Sequence, residues 1–370
     1  MIVVVLISIL ALVFTILQSL GIWKHGMAYG FMLTTFLLMI HYQYGNDYNT
    51  YYDWFLYIAD SNLGWKEIFS PDTFSKDPGW FIISWLFSLP FGRSGFFMMV
   101  AVLSIIEGMI YYKFIERYVP ENWYWLGMFV YLFHVCLYLL TFSMMRQSLA
   151  MALGLWAYTY IKDKKIVKSL LLLFLCLTIH KSSIVLLPFV FMAYLPKEKG
   201  KLIAIVLTIF LVLFLFVGRL TENIMSYLML IEALSDYGST YGHVDTNINF
   251  GLGYVVKLLT MYCAFLYYII HNNTKDSDSD IIIMATIGIL ILPFEGVITL
   301  MSRINFYFQM FYVAAIPLTY RYIPNQVIRI ICIAAYIMFD IYGYYLFWSP
   351  KSVFYEGYLH FDTVFSTLFN

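Results

Sequence analysis

Charge is what this chain has least of. Only 12% of its 370 residues are Asp, Glu, Lys or Arg, against roughly 25% in soluble domains. With 62% hydrophobic and 20% aromatic residues and a mean hydropathy of +0.78, that shortage excludes an ordinary water-soluble globule. Neither sign dominates: 22 basic residues balance 22 acidic ones, so nothing points to a polyanion such as nucleic acid as a partner. Cysteine is scarce too. Cys136, Cys176, Cys263 and Cys332 stand singly in apolar runs, with neither metal spacing nor a paired framework, and read as packed thiols. No internal repeat is visible. The first apolar run, Ile2–Ile22, lacks a basic lead-in and a small-residue cleavage site, so it is expected to remain as a span.

What the chain does have is a series of long apolar runs. They predict an all-α, polytopic transmembrane bundle of about 12 spans, forming a single integral membrane domain over 1–370. The expected spans are Ile2–Ile22, Gly26–Tyr44, Ser94–Lys113, Trp123–Thr141, Met144–Ile161, Ile166–His180, Ser182–Pro196, Leu202–Arg219, Tyr254–His271, Ile281–Ile298, Arg303–Tyr320 and Val327–Phe347. Gly79–Phe91 is too short to cross comfortably and suits a re-entrant or interfacial helix. The two short members around His180 suit a broken hairpin. Polar loops are expected at 45–79 and 220–253, with a tail after Phe347.

Lysine and arginine in the short loops set the orientation. Lys24, Lys113 with Arg117, Lys162–Lys168, Lys197–Lys201 and Arg321 with Arg329 fall on one side, which is then the cytoplasm. The 45–79 and 220–253 loops and the His180 turn lie outside. One loop fits poorly, since Asn272–Asp280 lands inside with three acids and one lysine.

The costliest residues in such a chain are those placed at membrane depth. Arg146 lies about 24 Å along its helix from Lys162, and His180 about 22 Å from Lys165. In a core about 30 Å thick, both reach one level near the outer face. Arg93, Arg219, Arg303 and Lys181 fall there as well. Any one arginine could snorkel to lipid phosphate, but a layer of them suits an anionic ligand, and guanidinium forks match phosphate oxygens. The acids Asp47, Asp53, Asp77 and Glu295 share the level, and a Glu295–Arg303 ion pair is the plain structural alternative. His134, Glu107 and Asp340 lie deeper and read as interhelical hydrogen-bonding groups. The rings of the Tyr48–Trp54 stretch belong to an interfacial belt or stack on sugar faces.

Five stretches together resemble a known family. Gly45-Asn46-Asp47-Tyr48-x-x-Tyr51, Asp77-Pro78-Gly79-Trp80, Met145-Arg146-Gln147-Ser148, Ile179-His180-Lys181-Ser182-Ser183 with Leu187-Pro188, and Ser302-Arg303-Ile304-Asn305-Phe306-Tyr307-Phe308 look like the ordered signatures of the EpsG family. That family of bacterial exopolysaccharide proteins is similar to Wzy-type O-antigen and capsule polymerases. One departure stands out: His41-Tyr42-Gln43-Tyr44 occupies the place where the family commonly has an arginine.

The resemblance implies a GT-C-like fold and glycosyl transfer on the outer face of the cytoplasmic membrane. Undecaprenyl-diphosphate-linked oligosaccharides would be substrate, with flippase and chain-length regulator proteins as further partners. Neither cofactor nor metal is expected, because the diphosphate is already a good leaving group and arginines can stabilise its charge. On this reading Arg146 and Arg303 bind diphosphate, with Arg93 and Lys181 in support. His180 is the base or orients the acceptor, and Asp47 and Asp77 are rival bases. Two other classes stay open. A flippase or transporter of lipid-linked glycans should show inverted repeats. A membrane acyltransferase would draw on a cytoplasmic donor and place its key residues at the inner level. A structural subunit of a synthesis complex is a further alternative.

Overall fold

The computed structural model describes residues 2–61, 77–189, 200–216, 252–272, 278–295 and 299–368. Its regular structure is almost entirely helical. A backbone in hydrocarbon must satisfy its own polar groups within the segment, which helices do. The chain divides into two compact units, one of Met1–Ala193 with Asp340–Asn370 and one of Tyr194–Phe339.

The first unit begins with α1 (Ile2–Ser19), α2 (Gly26–Ile40) and α3 (Tyr48–Asp60). It continues with α4 (Pro78–Phe91), α5 (Gly95–Tyr118), α6 (Tyr124–Phe133) and the single turn α7 (Tyr138–Thr141). The hairpin of α8 (Met145–Lys162) and α9 (Ile166–Ile179) follows, with a 3-10 turn over Lys181–Leu186. The second unit holds α10 (Gly200–Phe216), α11 (Leu252–His271), α12 (Ser279–Glu295), α13 (Thr299–Gln309) and α14 (Tyr312–Tyr322). It also holds α15 (Gln326–Phe347) as far as Phe339.

Among the described residues four helical stretches are long and apolar enough to cross a membrane: Ile2–Ser19, Pro78–Tyr118, Leu252–His271 and Gln326–Phe347. Several expected spans are interrupted. Trp123–Thr141 breaks at His134, where the backbone turns extended between α6 and α7. Arg303–Tyr320 breaks between Gln309 and Tyr312. The described start of Ser182–Pro196 is a 3-10 turn, and 190–199 fall outside the described residues. So do Arg219 and most of the expected 220–253 loop.

The 45–79 stretch, expected as a loop, contains a helix. Tyr48, Tyr51, Phe55 and Ile58 recur at helical spacing and form the buried face of α3. Their polar neighbours on the other face make the stretch look like a loop. The short α4 packs beside α3 through Phe81 and Trp85 against Ile58, and joins α5 through a 3-10 turn over Gly92–Ser94.

Small residues let α1 and α2 come close. The buried positions of α1 are Val4, Ser8, Ala11 and Thr15, while its other faces, at Ile2, Leu6 and Val13, are exposed. Opposite them stand Gly26, Gly30 and Thr34, four residues apart. A methyl group on Gly30 would come 2.8 Å from the Ala11 carbonyl oxygen. In lipid, where apolar burial drives little, such close contact is what holds two helices together.

The tail after Phe347 is a structural part of the first unit. Its residues Asp362–Thr363 pair antiparallel with His41–Tyr42. Tyr358 is fully buried and its hydroxyl donates to the Leu139 carbonyl at 3.0 Å.

Overpacking the α1–α2 stripe should therefore be costly. Gly30→Leu is expected to lower stability by roughly 1–3 kcal/mol. Ile9→Leu, on the exposed side of α1, should stay within about 0.5 kcal/mol. Unfolding of the purified protein in detergent measures both, and equal effects would contradict the packing.

Candidate functional site

The α8–α9 hairpin brings two of the signature residues to one end. Its turn closes with Lys164 left-handed at φ 59°, the Lys164 N–H donating to Ile161 O and the Lys165 N–H to Tyr160 O. This is the Schellman pattern, with lysine where glycine is usual. At the far end the Cys176 thiol lies 3.5 Å from the Ala150 carbonyl. Cys176 is one turn before His180 and Ala150 one turn after Arg146, so both signature residues lie about 6 Å beyond this contact.

Asp77 ties that end together. Its Oδ2 accepts from Arg146 Nη1 at 2.6 Å and its Oδ1 from the Lys181 backbone N–H at 3.1 Å. Asp77 thus links the starts of α4 and α8 to the turn after α9. Gly79, two residues on, has no room for a side chain against Thr178. Asp77 adopts a left-handed backbone, φ 45° and ψ 64°, a conformation that costs a non-glycine residue of order 1–3 kcal/mol and tends to cluster at functional sites.

Electrostatics mark the same residue. The Asp77 side chain is 12% exposed and that of Arg146 is 33% exposed. Burial pushes the Asp77 carboxyl above its usual range, and the attraction of Arg146 and of the Lys181 N–H only partly reverses this. Desolvation outweighs the ion pair. The guanidinium also lies 5.2 Å from the centre of the Tyr51 ring, and its Nε is 3.4 Å from the Tyr51 hydroxyl. Tyr51 in turn packs on Trp80 at 5.5 Å.

His180 terminates α9 in an extended conformation, φ −152°, and is half-buried. Its Nδ1 and the Ser182 hydroxyl are 2.7 Å apart. If Nδ1 carries the proton and Ser182 accepts, Nε2 is the basic nitrogen; the opposite tautomer reverses the roles. Base chemistry at Nε2 therefore requires Ser182 as acceptor. Lys181 is exposed and contributes its backbone N–H to Asp77.

The Gly45–Tyr48 element docks on the approach to Arg146. Gly45 has φ +110°, and a side chain there would meet the Phe142 carbonyl at 2.8 Å. The Asp47 N–H donates to Ser143 Oγ at 3.0 Å, and Asp47 itself is half-buried. The tail braces this turn from outside: the Gly45 N–H donates to Gly357 O at 2.8 Å, and Asn46 Nδ2 to Val353 O at 2.8 Å. Where the family commonly has arginine, His41 is buried against the rings of Tyr48 and Phe142. That segment serves packing.

The remaining expected residues lie apart from this cluster or in the other unit. Arg93 is gripped by Asp60 through two 2.8 Å bonds, beyond the far end of α4, a helix about 21 Å long by helical rise that starts next to Asp77. Its fork does not join the one on Arg146. In the second unit Arg303 lies on α13. Glu295 Oε1 accepts from Asn305 Nδ2 at 2.5 Å and Gln309 Nε2 at 3.1 Å. Both amides are buried, so Asn305 anchors its motif to α12. His134 Nδ1 is 3.2 Å from both oxygens of Asp340, joining residues 206 apart in sequence. Among the described residues no group of three His, Cys, Asp or Glu could hold a metal ion.

A double-mutant cycle tests the central pair. Asp77→Asn keeps an acceptor for Lys181 but removes the charge facing Arg146. Combined with Arg146→Gln, it should show a coupling of about 0.5–3 kcal/mol in unfolding free energy. Strictly additive losses would show that the two side chains are not paired.

No curated protein and no solved structure matches the chain. A family model described as the EpsG family matches residues 27–362. The matched range runs from α2 to the tail strand and includes every residue of the cluster around Asp77. The chain belongs to the EpsG family.

Proposed function

We propose that this protein is a polysaccharide polymerase. It joins undecaprenyl-diphosphate-linked oligosaccharide repeat units on the outer face of the cytoplasmic membrane. The observation that carries the reading is the seat around Arg146. A guanidinium and the Lys181 backbone N–H converge there on one carboxylate, with aromatic rings beside them. The family supports a polymerase-like role in polysaccharide biosynthesis.

In the proposed reaction the bond between the anomeric carbon and the diphosphate oxygen breaks. A glycosidic bond forms to an acceptor hydroxyl, whose proton passes to a base. The diphosphate leaves with an added negative charge, which Arg146 stabilises. Asp77 holds the place of that anion until substrate arrives. A diphosphate brings more charge than one carboxylate and can displace it from Nη1. His180 is the proposed base, acting through Nε2 when Ser182 accepts from Nδ1, with the displaced Asp77 and Asp47 as rivals. Tyr51, buried against Trp80, positions the Arg146 guanidinium. Arg303 is proposed as a further phosphate ligand on its motif alone.

A flippase would use the same anion seat but would not require a base. Complementing a knockout strain with point variants, and resolving lipid-linked glycans by size, separates the readings. Arg146→Lys keeps the charge and loses the fork, so long polymer should collapse to single repeat units while protein level holds. His180→Gln should lower polymer formation by about 10²–10⁴-fold. Wild-type ladders from both variants would remove this site from the chemistry. Single units trapped on the inner leaflet would favour transport.

A further inference from the structure

The other end of the first unit carries a second site of different chemistry. A cavity of about 430 Å³ opens between α5 and α8. Its lining residue Thr159 lies about 20 Å along α8 from Arg146. Ile106, Met109 and Phe114 on α5 and Trp156 on α8 form an apolar wall, and Lys113, Glu116 and Arg117 stand at its polar end. The α5 residues recur every three or four positions, so one stripe of the helix passes from apolar to basic along its axis.

This wall faces outward. Met109 is 60% exposed and Trp156 is 41% exposed, so in a membrane the cavity opens sideways to lipid. The polar end carries excess positive charge. Glu116 is shared by Lys113 at 2.6 Å and the Tyr112 hydroxyl at 2.8 Å. Asp163 is shared by Arg117 at 2.6 Å and Lys165 at 3.3 Å. Lys165 and Lys168 both lie over the Tyr160 ring. Four cations thus meet two carboxylates. An exposed pair such as Lys113–Glu116 contributes little, so its ammonium can be shared with another anion at small cost. Aromatic rings beside basic groups at a helix end are the usual chemistry of a membrane interface.

We propose that this cavity binds one anionic phospholipid of the surrounding leaflet. An acyl chain lies along Ile106, Met109 and Trp156, and the headgroup phosphate sits between Lys113 and Arg117. Basic pockets between membrane helices recognise such headgroups. The apolar wall selects a lipid over a free anion, and the basic pair selects an anionic lipid over a zwitterionic one. The larger cavity between α2 and α5, about 510 Å³ and almost wholly apolar, offers no such selection.

The test uses the full chain in mixed micelles holding equal amounts of dioleoyl phosphatidylglycerol and dioleoyl phosphatidylcholine, with retained lipid read by native mass spectrometry. Wild type should retain phosphatidylglycerol preferentially, roughly tenfold or more. Lys113→Gln with Arg117→Gln should abolish the preference. Met109→Trp, which fills the wall and leaves every charge in place, should also reduce retained phosphatidylglycerol. Lys24→Gln, in an exposed turn, should leave the preference intact. Equal retention of the two lipids by wild type would overturn the proposal. So would a loss in Lys24→Gln as large as in the paired variant, which would indicate bulk charge. Stripping of phosphatidylglycerol by millimolar inorganic phosphate would show a plain anion site and overturn it too.

Discussion

The pairing of Asp77 with Arg146 is the constraint on which the first unit's functional end depends. One carboxylate meets a guanidinium from α8 and an N–H from the turn after α9, while its own residue opens α4. Three helices are fixed by two hydrogen bonds, and the arrangement is not relaxed. The Asp77 backbone is left-handed, and burial raises its carboxyl despite a close cation. Burying such a pair carries a desolvation cost that its attraction must offset.

Around this pair the fold places support rather than chemistry. The Gly45–Tyr48 turn is bonded to Ser143, three residues before Arg146, and the tail is bonded to the turn. Two stretches at opposite ends of the sequence thereby brace the start of α8. Much of the Gly45–Tyr48 signature is explained by this: Gly45 by its positive φ, Asn46 by its bond to the tail, and Tyr48 by burial. Asp47 contributes its backbone N–H to Ser143. The same distinction holds in the second unit, where Asn305 and Gln309 orient Glu295 and Arg303 stands on the same helix.

What the sequence made legible was periodic or local. Counting residues from the basic hairpin put Arg146 and His180 on one level, because helical rise is fixed and the hairpin turn is short. The all-helical class followed from hydrophobicity alone. Contacts made by residues distant in sequence were not legible. Nothing near Arg93 announces Asp60 as its partner, and His134 meets Asp340 only through the fold. The helix α3 was hidden because tyrosines at its buried positions read as polar. The breaks at His134 and after Gln309 were hidden because apolar runs continue through them while the backbone turns. Arg303 and Arg146 were read as one layer, and each is now described within its own unit.

The account's central claim is that Asp77 occupies a seat meant for a diphosphate. Equilibrium binding of undecaprenyl diphosphate to the purified protein tests it most directly. Asp77→Asn should bind several-fold more tightly than wild type, because the competing carboxylate is gone, and Arg146→Lys should bind more weakly because the fork is lost. Weaker or unchanged binding by Asp77→Asn, together with unchanged binding by Arg146→Lys, would contradict the account.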